Sequence, residues 1–300
     1  DVTVWCSRFL NYWKPSLVLW IESDIWPNML KIIRDKKINC FYINARISPK
    51  SFNNWKYLKS LYSKSLKTFN KIFAQSPNDL KRIKLLSDLK VEYIGNLKLS
   101  SNQKNKIYEN NERIFSLMIV STHHSEEEII IKNIENIIKS KKLKLCIAPR
   151  HPERISEISK ILLKYNLSYK LDSDGTVVKK DVTIIDGFGN LDSYFRKSEI
   201  VILGGSFVSK GGHNPLEPAI NGCALISGSL VYNWQNIYDQ MVKEKACIVL
   251  NNVNDLENRL DNLLINKSLL EELKKNALDF SNKKFFDRET LFNEINLVLN

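Results

Sequence analysis

Short apolar strands alternate with amphipathic helices through both halves of the chain. Parallel strands need helical crossovers between them, so this alternation predicts parallel sheets of βαβ units. We therefore expect an α/β protein with two Rossmann-like domains that face a cleft. The predicted strands cover residues 17–20, 39–43, 71–74 and 91–94 in the first half and 115–120, 144–148, 168–171, 183–185, 200–203 and 224–226 in the second.

A polar stretch without apolar periodicity separates the two halves. It covers residues 100–113 and reads as a linker between a domain at 1–99 and a domain at 114–300. The second domain is expected to end in a helical tail from about residue 255. The chain opens at Asp1 inside a structured-looking stretch, so we expect the first domain to be incomplete at its amino terminus. Ligands in such sheets bind at the carboxyl ends of the strands.

Charge is distributed unevenly along the chain. The 45 Lys and Arg outnumber the 33 Asp and Glu, which gives a net charge of +12. Residues 1–115 hold 21 basic and 9 acidic side chains, a balance of +12, whereas residues 116–300 hold 24 of each. The first half is therefore expected to meet anions. No segment approaches the roughly 20 apolar residues of a membrane-spanning helix.

The five cysteines are an odd number and include no C-x-x-C pair. This pattern predicts reduced thiols packed in the interior of a cytosolic protein, and it excludes a disulfide framework or a zinc site of the usual spacing.

The most informative motif lies between residues 204 and 218. Gly204, Gly205 and Ser206 follow a buried strand, and glycines there let a ligand approach the backbone. A helix beginning near Pro215 would direct N–H groups at a phosphate, and Glu217 could accept hydrogen bonds from a ribose diol. The alternative is a glycine-rich turn followed by an acidic residue of the kind favoured at a helix start.

Other loops are expected at the same sheet edge. Arg150 follows a predicted strand and could clamp a phosphate or carboxylate, although a surface arginine in a turn is equally compatible. The glycines of the loop at 186–190 could approach a base or phosphate. His123 and His124 are adjacent and should point in different directions, which argues against a metal site. Residues 172–175 read as a turn rather than a metal-binding D-x-D motif.

Ser125 with Glu128 fits an S-x-x-E capping box at the start of the helix after the first strand of the second half.

In the first half, Glu22 stands at the end of a strand with Trp26 nearby. Such a carboxylate is either a helix cap or an active-site acid or hydroxyl-binding group. The predicted helix from 51 to about 69 interleaves basic and aromatic residues. Its aromatic stripe favours core packing, and its basic face is either simply solvated or binds anionic lipid headgroups or nucleic acid.

Six runs together resemble one family, the Kdo transferases (3-deoxy-D-manno-octulosonic acid transferases) of lipopolysaccharide synthesis, which have the glycosyltransferase-B fold. They lie in order across almost the whole chain, and the last run is long and specific. The runs are ESDIWPN at 22–28, NARIS at 44–48, AQSPND at 74–79, GNLK at 95–98, PRHPER at 149–154 and GGSFVSKGGHNPLEPA at 204–219.

This resemblance implies transfer of Kdo from CMP-Kdo to a lipid A precursor, with inversion at the anomeric carbon. It implies a peripheral enzyme on the cytoplasmic face of the bacterial inner membrane, in contact with its anionic surface, and no metal, other cofactor or nucleic acid is expected. Glu22 is the implied acidic group of the acceptor cleft. The implied donor-binding residues are Arg150, His151, Gly189, Gly205, Ser206, Asn214 and Glu217. The implied acceptor and membrane contacts are Arg46, Lys50, Trp55 and Lys56.

Three departures from the family pattern bear on activity. About one hundred further residues usually precede this region, with a membrane-anchoring helix and the glutamate regarded as general base, so both transfer and donor binding without transfer are open for this chain. The usual T-H-E-G-E-E reads THHSEE at 122–127, and the usual G-E-L reads GNL at 189–191. The alternatives are a related transferase for another CMP- or UDP-sugar, and a non-catalytic basic protein that binds anionic membrane or nucleic acid.

Overall fold

The computed structural model describes residues 1–22, 25–97, 113–175, 181–187, 189, 191–283 and 286–299. The chain forms two compact units, one of Asp1–Lys104 with Lys284–Asn300 and one of Asn105–Lys283. Each unit is a mixed α/β structure around a parallel sheet, as the alternation of strand and helix signals predicts. Within the described residues, no helix combines the length and hydropathy that crossing a membrane requires.

Among the described residues, the first unit is built on four parallel strands in the order β1-β2-β3-β4. The aliphatic and aromatic side chains of these strands pack against the helices that connect them. The strands are β1 (Leu17–Ile21), β2 (Asn39–Ala45), β3 (Lys71–Ala74) and β4 (Glu92–Tyr93), and the helices are α1 (Thr3–Trp13), α2 (Pro27–Asp35), α3 (Pro49–Tyr57), α4 (Lys59–Leu66) and α5 (Pro77–Leu86).

The single helix predicted from 51 to about 69 is wrong, because two shorter helices occupy that stretch. Pro49 begins α3, and the Ser48 hydroxyl accepts a hydrogen bond from the Ser51 N–H as its cap. Leu58 then leaves helical geometry at φ −118° and ψ 32°, which ends α3 before α4 begins.

In the part of the second unit that the structure describes, seven parallel strands lie in the order β11-β10-β9-β5-β6-β8-β7. Its core lies between this sheet and the apolar faces of its longer helices. The strands are β5 (Phe115–Thr122), β6 (Leu145–Pro149), β7 (Tyr169–Leu171), β8 (Val182–Ile184), β9 (Ser198–Leu203), β10 (Ala224–Gly228) and β11 (Ile248–Leu250). The helices are α6 (Glu126–Ser140), α7 (Ile155–Lys164), α8 (Asp192–Arg196), α9 (Leu216–Ile220), α10 (Gln235–Lys243), α11 (Leu256–Ile265) and α12 (Lys267–Ser281).

The sequence predicts that the helical tail belongs wholly to the second domain. This prediction is wrong for the last helix, α13 (Arg288–Leu299), which belongs to the first unit. Leu291 is buried against an apolar cluster of the first unit that includes Phe41 and Phe73. Lys71 also pairs with Glu294 at 2.7 Å. Helices α11 and α12 remain in the second unit.

The predicted linker lies outside the described residues except for Arg113. This side chain is bound to the backbone of the second unit. Its guanidinium donates hydrogen bonds to the carbonyl oxygens of Phe195, Ser198, Asn221 and Gly222 at 2.5–3.1 Å. All five cysteines are free and buried, in agreement with the predicted interior packing.

Candidate functional site

The order of the strands places the candidate site. Strand β5 lies between β6, the next strand along the chain, and β9, to which the chain returns after β8. Where chain direction reverses in this way, the loops at the carboxyl ends of the two central strands separate and leave a crevice. Here the crevice is bordered by the loops at 123–125, 150–154 and 204–214.

A buried carboxylate joins two of these loops. Glu126, the first residue of α6, has no exposed surface, and four backbone N–H groups donate to its side chain. Burial raises the pKa of this carboxyl, and the four N–H groups act in the opposite direction. The donors are the N–H groups of His123 at 3.1 Å, Gly205 at 2.6 Å, Ser206 at 3.0 Å and Phe207 at 2.9 Å.

The hydrogen bonds to Glu126 correct the expectation that Gly205 and Ser206 contact the sugar-nucleotide donor directly. Their N–H groups are bonded to Glu126, so they are not available to a phosphate. Ser206 is fully buried, and its hydroxyl donates to the carbonyl oxygen of Leu203 at 2.6 Å and accepts from the N–H of Gly228 at 2.8 Å. The two residues shape the loop instead.

The glycine pair is required by close contacts. A Cβ at Gly204 would lie 2.7 Å from the backbone oxygen of Ser121, so glycine lets the end of β9 approach the end of β5. Gly205 has a φ of +67°, and a Cβ there would meet the ring of His213 at 3.0 Å. The glycines therefore make room for protein groups, above all for His213.

Three of the four histidines meet at this edge. The Nε2 atoms of His123 and His213 lie 3.0 Å apart, and the two rings are nearly parallel, with centroids 5.2 Å apart and 7° between their planes. The ring of His151 stands edge-on to His123, with its centroid 5.9 Å away. His151 was predicted from sequence, whereas the pairing of His123 with His213 was missed.

The surroundings of the pair are cationic. Burial lowers the pKa of His123, and Lys210, His151, Arg154 and Arg150 lower it further. Burial lowers the pKa of His213 to about 4, with additional contributions from His123, Arg150 and His151. Both rings are therefore neutral near pH 7, and one Nε2–H donates to the other Nε2. Such a concentration of cations and imidazoles suits an oxyanion ligand.

The loop at 150–154 is held by a buried ion pair. Glu127 has no exposed surface, and both of its oxygens accept hydrogen bonds from the Arg154 guanidinium at 2.8 Å. Arg154 also binds Glu157, at 3.1 Å. Its backbone N–H donates to the carbonyl of His151, which fixes the turn that carries His151 and the exposed Arg150. Arg154 was not singled out from sequence.

Asn214 and Glu217 lie together beyond His213. The Asn214 side chain donates to the Glu217 carboxylate at 3.1 Å and accepts from the N–H of Leu216 at 3.1 Å. Helix α9 has only five residues, so the predicted phosphate site at its amino terminus is not supported. Glu217 is exposed, and its carboxylate is accessible to a hydroxyl-bearing ligand.

The loop after β8 is described only in part. Gly189 is exposed, while Phe188 and Asn190 lie outside the described residues. Asp186 accepts a hydrogen bond from the N–H of Ser173 at 3.1 Å. Residues 172–174 form a 3₁₀ turn, as the turn interpretation predicts. Within the parts of the chain that the structure describes, no group of three or more His, Cys, Asp or Glu is arranged to hold a metal ion.

One residue of the altered THHSEE motif, Ser125, has an unusual backbone conformation. Ser125 adopts a φ of +68°, a left-handed conformation that favours glycine, and makes no capping hydrogen bond through its side chain. The predicted capping box is therefore wrong, and Glu128 pairs with Lys164 instead. His124 points away from His123, and its Nδ1 lies 2.9 Å from Glu157.

In the first unit, Glu22 follows β1 with a φ of +72°, and its N–H donates to the carbonyl of Ile43 at 3.2 Å. A non-glycine residue in this conformation costs about 1–3 kcal/mol and is often found at functional sites. Ser23 and Asp24 of the same motif lie outside the described residues.

The residues expected to contact acceptor and membrane have different environments. Arg46 is half-buried after β2, whereas Lys50 is exposed on α3. Trp55 is half-buried against the core, with its ring 4.9 Å from that of Tyr62, so part of its ring packs in the interior. Lys56 is exposed, with its ammonium 4.6 Å from the ring centre of Phe52.

Comparison with known proteins agrees with this architecture. Residues 1–101 match the family model of 3-deoxy-D-manno-octulosonic-acid transferase (kdotransferase). The 3-deoxy-D-manno-octulosonic acid transferase of Rickettsia bellii is 33% identical over 301 residues, which cover 96% of this chain and 72% of the relative. The chain covers 64–65% of the length of other Rickettsia relatives at the same identity.

Two solved structures show the fold. The C-terminal CMP-Kdo binding domain of WaaA from Acinetobacter baumannii is 26% identical and superimposes with a TM-score of 0.53, covering 62% of this chain and 97% of that domain. MnaA of S. aureus, solved with UDP, is 14% identical and superimposes with a TM-score of 0.62 over 99% of this chain and 80% of that one. The fold is of the glycosyltransferase-B type, and the chain belongs to the Kdo transferase family of glycosyltransferases.

Proposed function

We propose that this chain is an inverting glycosyltransferase of lipopolysaccharide synthesis that moves Kdo from CMP-Kdo to a lipid A precursor. The observation that carries the proposal is a cluster of four side chains at the carboxyl ends of β5, β6 and β9 in the second unit. They are His123, His151, His213 and Arg150. The likeness of this unit to a domain described as CMP-Kdo binding supports the choice of donor.

The cluster matches the charge that the reaction develops. Transfer breaks the bond between the anomeric carbon of Kdo and a phosphate oxygen, and the phosphate of the departing CMP gains negative charge. Fixed cations and N–H donors at that position stabilise the transition state. In our proposal Arg150 and the histidines provide them, the exposed Glu217 binds the ribose diol, and no divalent metal is needed.

The acceptor is assigned to the first unit. Glu22 and Arg46 follow the carboxyl ends of neighbouring parallel strands and are the proposed acceptor-side groups. The basic excess of residues 1–115 and the exposed Lys50 and Lys56 are complementary to anionic lipids.

Helix α1 supports a membrane-surface assignment, because one side carries exposed aromatic rings. Trp5 is 64% exposed, Tyr12 79% and Trp13 64%. Aromatic rings beside basic residues are favourable at the headgroup level of a bilayer. We therefore propose that the protein binds peripherally to the cytoplasmic face of the bacterial inner membrane, with α1 in contact with the anionic lipid surface.

A transfer assay tests the proposal. The chain is incubated with CMP-Kdo and a lipid A precursor in detergent micelles, with and without EDTA, and the glycolipid is analysed by mass spectrometry. We expect addition of Kdo that resists EDTA, and a loss in the Arg150→Ala variant that the exposed Arg259→Ala control does not share. A product formed only from another CMP- or UDP-sugar would replace the proposed donor and favour a related transferase.

A further inference from the structure

We propose that the His123–His213 pair takes up a proton when a phosphate group binds beside it, so that phosphate binding at this site is linked to protonation. The inference rests on the proposed function, which assigns this cluster to the donor phosphate. It adds a chemical role for two side chains beyond attraction of an anion.

The geometry of the pair defines how many protons it holds. With the two Nε2 atoms 3.0 Å apart, only one hydrogen fits between them, so the neutral pair has one N–H donor facing one lone pair. One further proton can bind at the Nδ1 atom of the donating ring without disturbing this contact. A second would place two N–H groups against each other. The pair therefore has a capacity of one additional proton.

Burial and the cationic neighbours keep the free pair neutral. His123 faces Lys210 from the loop after β9, and His151, Arg150 and Arg154 from the loop after β6. His213 faces Arg150 and His151 as well as His123. The nearby carboxylates are already engaged, Glu126 with four N–H groups and Glu127 with Arg154. The loops around the pair thus combine several cations with carboxylates that are bound elsewhere.

A bound phosphate dianion reverses this balance. An opposite charge within about 4–6 Å raises a histidine pKa by roughly 1–3 units, which takes His213 from about 4 to between about 5 and 7. The complex then holds a proton at pH values where the free protein does not. Affinity for the phosphate is therefore expected to rise as the pH falls from about 8 to about 6.

Calorimetry of the full chain with CMP measures the linkage. Titrations at about pH 6 and about pH 8, each in two buffers of different ionisation enthalpy, give the number of protons taken up per CMP. The phosphate of CMP itself titrates near pH 6, so the decisive quantity is the difference between wild type and His213→Gln. The exposed His124 provides the matched control, His124→Gln.

We expect wild type and His124→Gln to take up more protons than His213→Gln near pH 6. We also expect the CMP affinity of these two proteins to increase about two- to tenfold more from pH 8 to pH 6 than that of His213→Gln, which corresponds to a His213 pKa of about 6 to 7 in the complex against about 4 in the free protein. The variant His123→Gln should behave as His213→Gln does. Equal proton uptake in wild type and in both folded pair variants would overturn the inference.

A second measurement separates this inference from the proposed function. If CMP fails to bind wild type at either pH, the donor assignment fails. NMR titration of the histidine Cε1 protons, with inorganic phosphate against chloride at equal ionic strength, then decides the proton linkage. An upward shift of the pKa values of His123 and His213 with phosphate supports it, and unchanged values overturn it.

Discussion

Removal of the Glu126 carboxylate is expected to destabilise the loop at 204–214, whose first N–H groups donate to it. Its two oxygens satisfy four buried N–H groups, and an unsatisfied buried donor costs roughly 1–3 kcal/mol. Relaxation and water entry reduce the sum, so Glu126→Ala should cost about 4 kcal/mol. Glu126→Gln keeps one acceptor oxygen but turns an amide donor toward other N–H groups, and should cost about 2 kcal/mol.

Hydrogen exchange measured by mass spectrometry gives a direct readout. The amides of Gly205, Ser206 and Phe207 donate to Glu126 and should be protected in wild type. Opening free energies lowered by about 2 and 4 kcal/mol correspond to exchange that is faster by about 30-fold in Glu126→Gln and about 1000-fold in Glu126→Ala.

Glu128→Gln is the control, because Glu128 lies on the same helix in an exposed pair with Lys164 and should change stability by less than about 0.5 kcal/mol. If the hydrogen-exchange protection of residues 205–207 is unchanged in a folded Glu126→Ala protein, the Glu126 carboxylate does not hold this loop.

Four further predictions concern single side chains. Ser125→Gly should raise stability by about 0.5–1 kcal/mol in calorimetric unfolding because it relieves a left-handed φ, and a gain of equal size in Ser125→Ala would contradict this reason. Glu217→Ala should weaken CMP binding roughly tenfold by calorimetry, and an unchanged affinity would remove Glu217 from the ribose role. The pKa of His213 lies below its unfolded value of 6.5, so the unfolded state binds the proton first, and stability is lost as the pH falls from about 6.5 to about 4. In denaturant titrations this loss, about 1–2 kcal/mol after allowance for solvent screening, should be absent in His213→Gln, and identical profiles would count against it. Trp5→Ala should reduce sedimentation with anionic vesicles, whereas retained binding would exclude α1 from the lipid contact.

The parallel sheets could be predicted from the sequence because each strand is a short apolar run bounded by helical segments. The same local signals predicted the loops at the carboxyl ends of β6 and β9. They did not predict α10 or β11. Strand β11 (Ile248–Leu250) has only three residues, which is too short to give a clear apolar pattern. They also could not show that α13 packs on the first unit, since its apolar positions are compatible with either core.

The sequence alone does not identify the group that lies against Gly205 and Ser206. A glycine pair after a strand indicates close backbone approach, but it does not identify the approaching group. Here the group is the carboxylate of Glu126, 79 residues earlier in the chain. An acidic residue in the first turn of a helix usually caps that helix, so its burial could not be anticipated from local pattern.

The histidine pair depends on topology in the same way. His123 and His213 are 90 residues apart and become neighbours only because β9 returns to lie beside β5. Both follow sheet strands in chain order, which was the available signal. Knowledge of the strand order was needed to turn that signal into a contact.

In our proposal the second unit binds a cytidine nucleotide at the loops around His123, Arg150 and His213. Calorimetric titration of the full chain with CMP, and with UMP and GMP as controls, tests it most directly. We expect binding of CMP with clear preference over UMP and GMP, and weaker binding by Arg150→Ala. No binding of any nucleotide by a folded protein, or equal binding of all three, would contradict it.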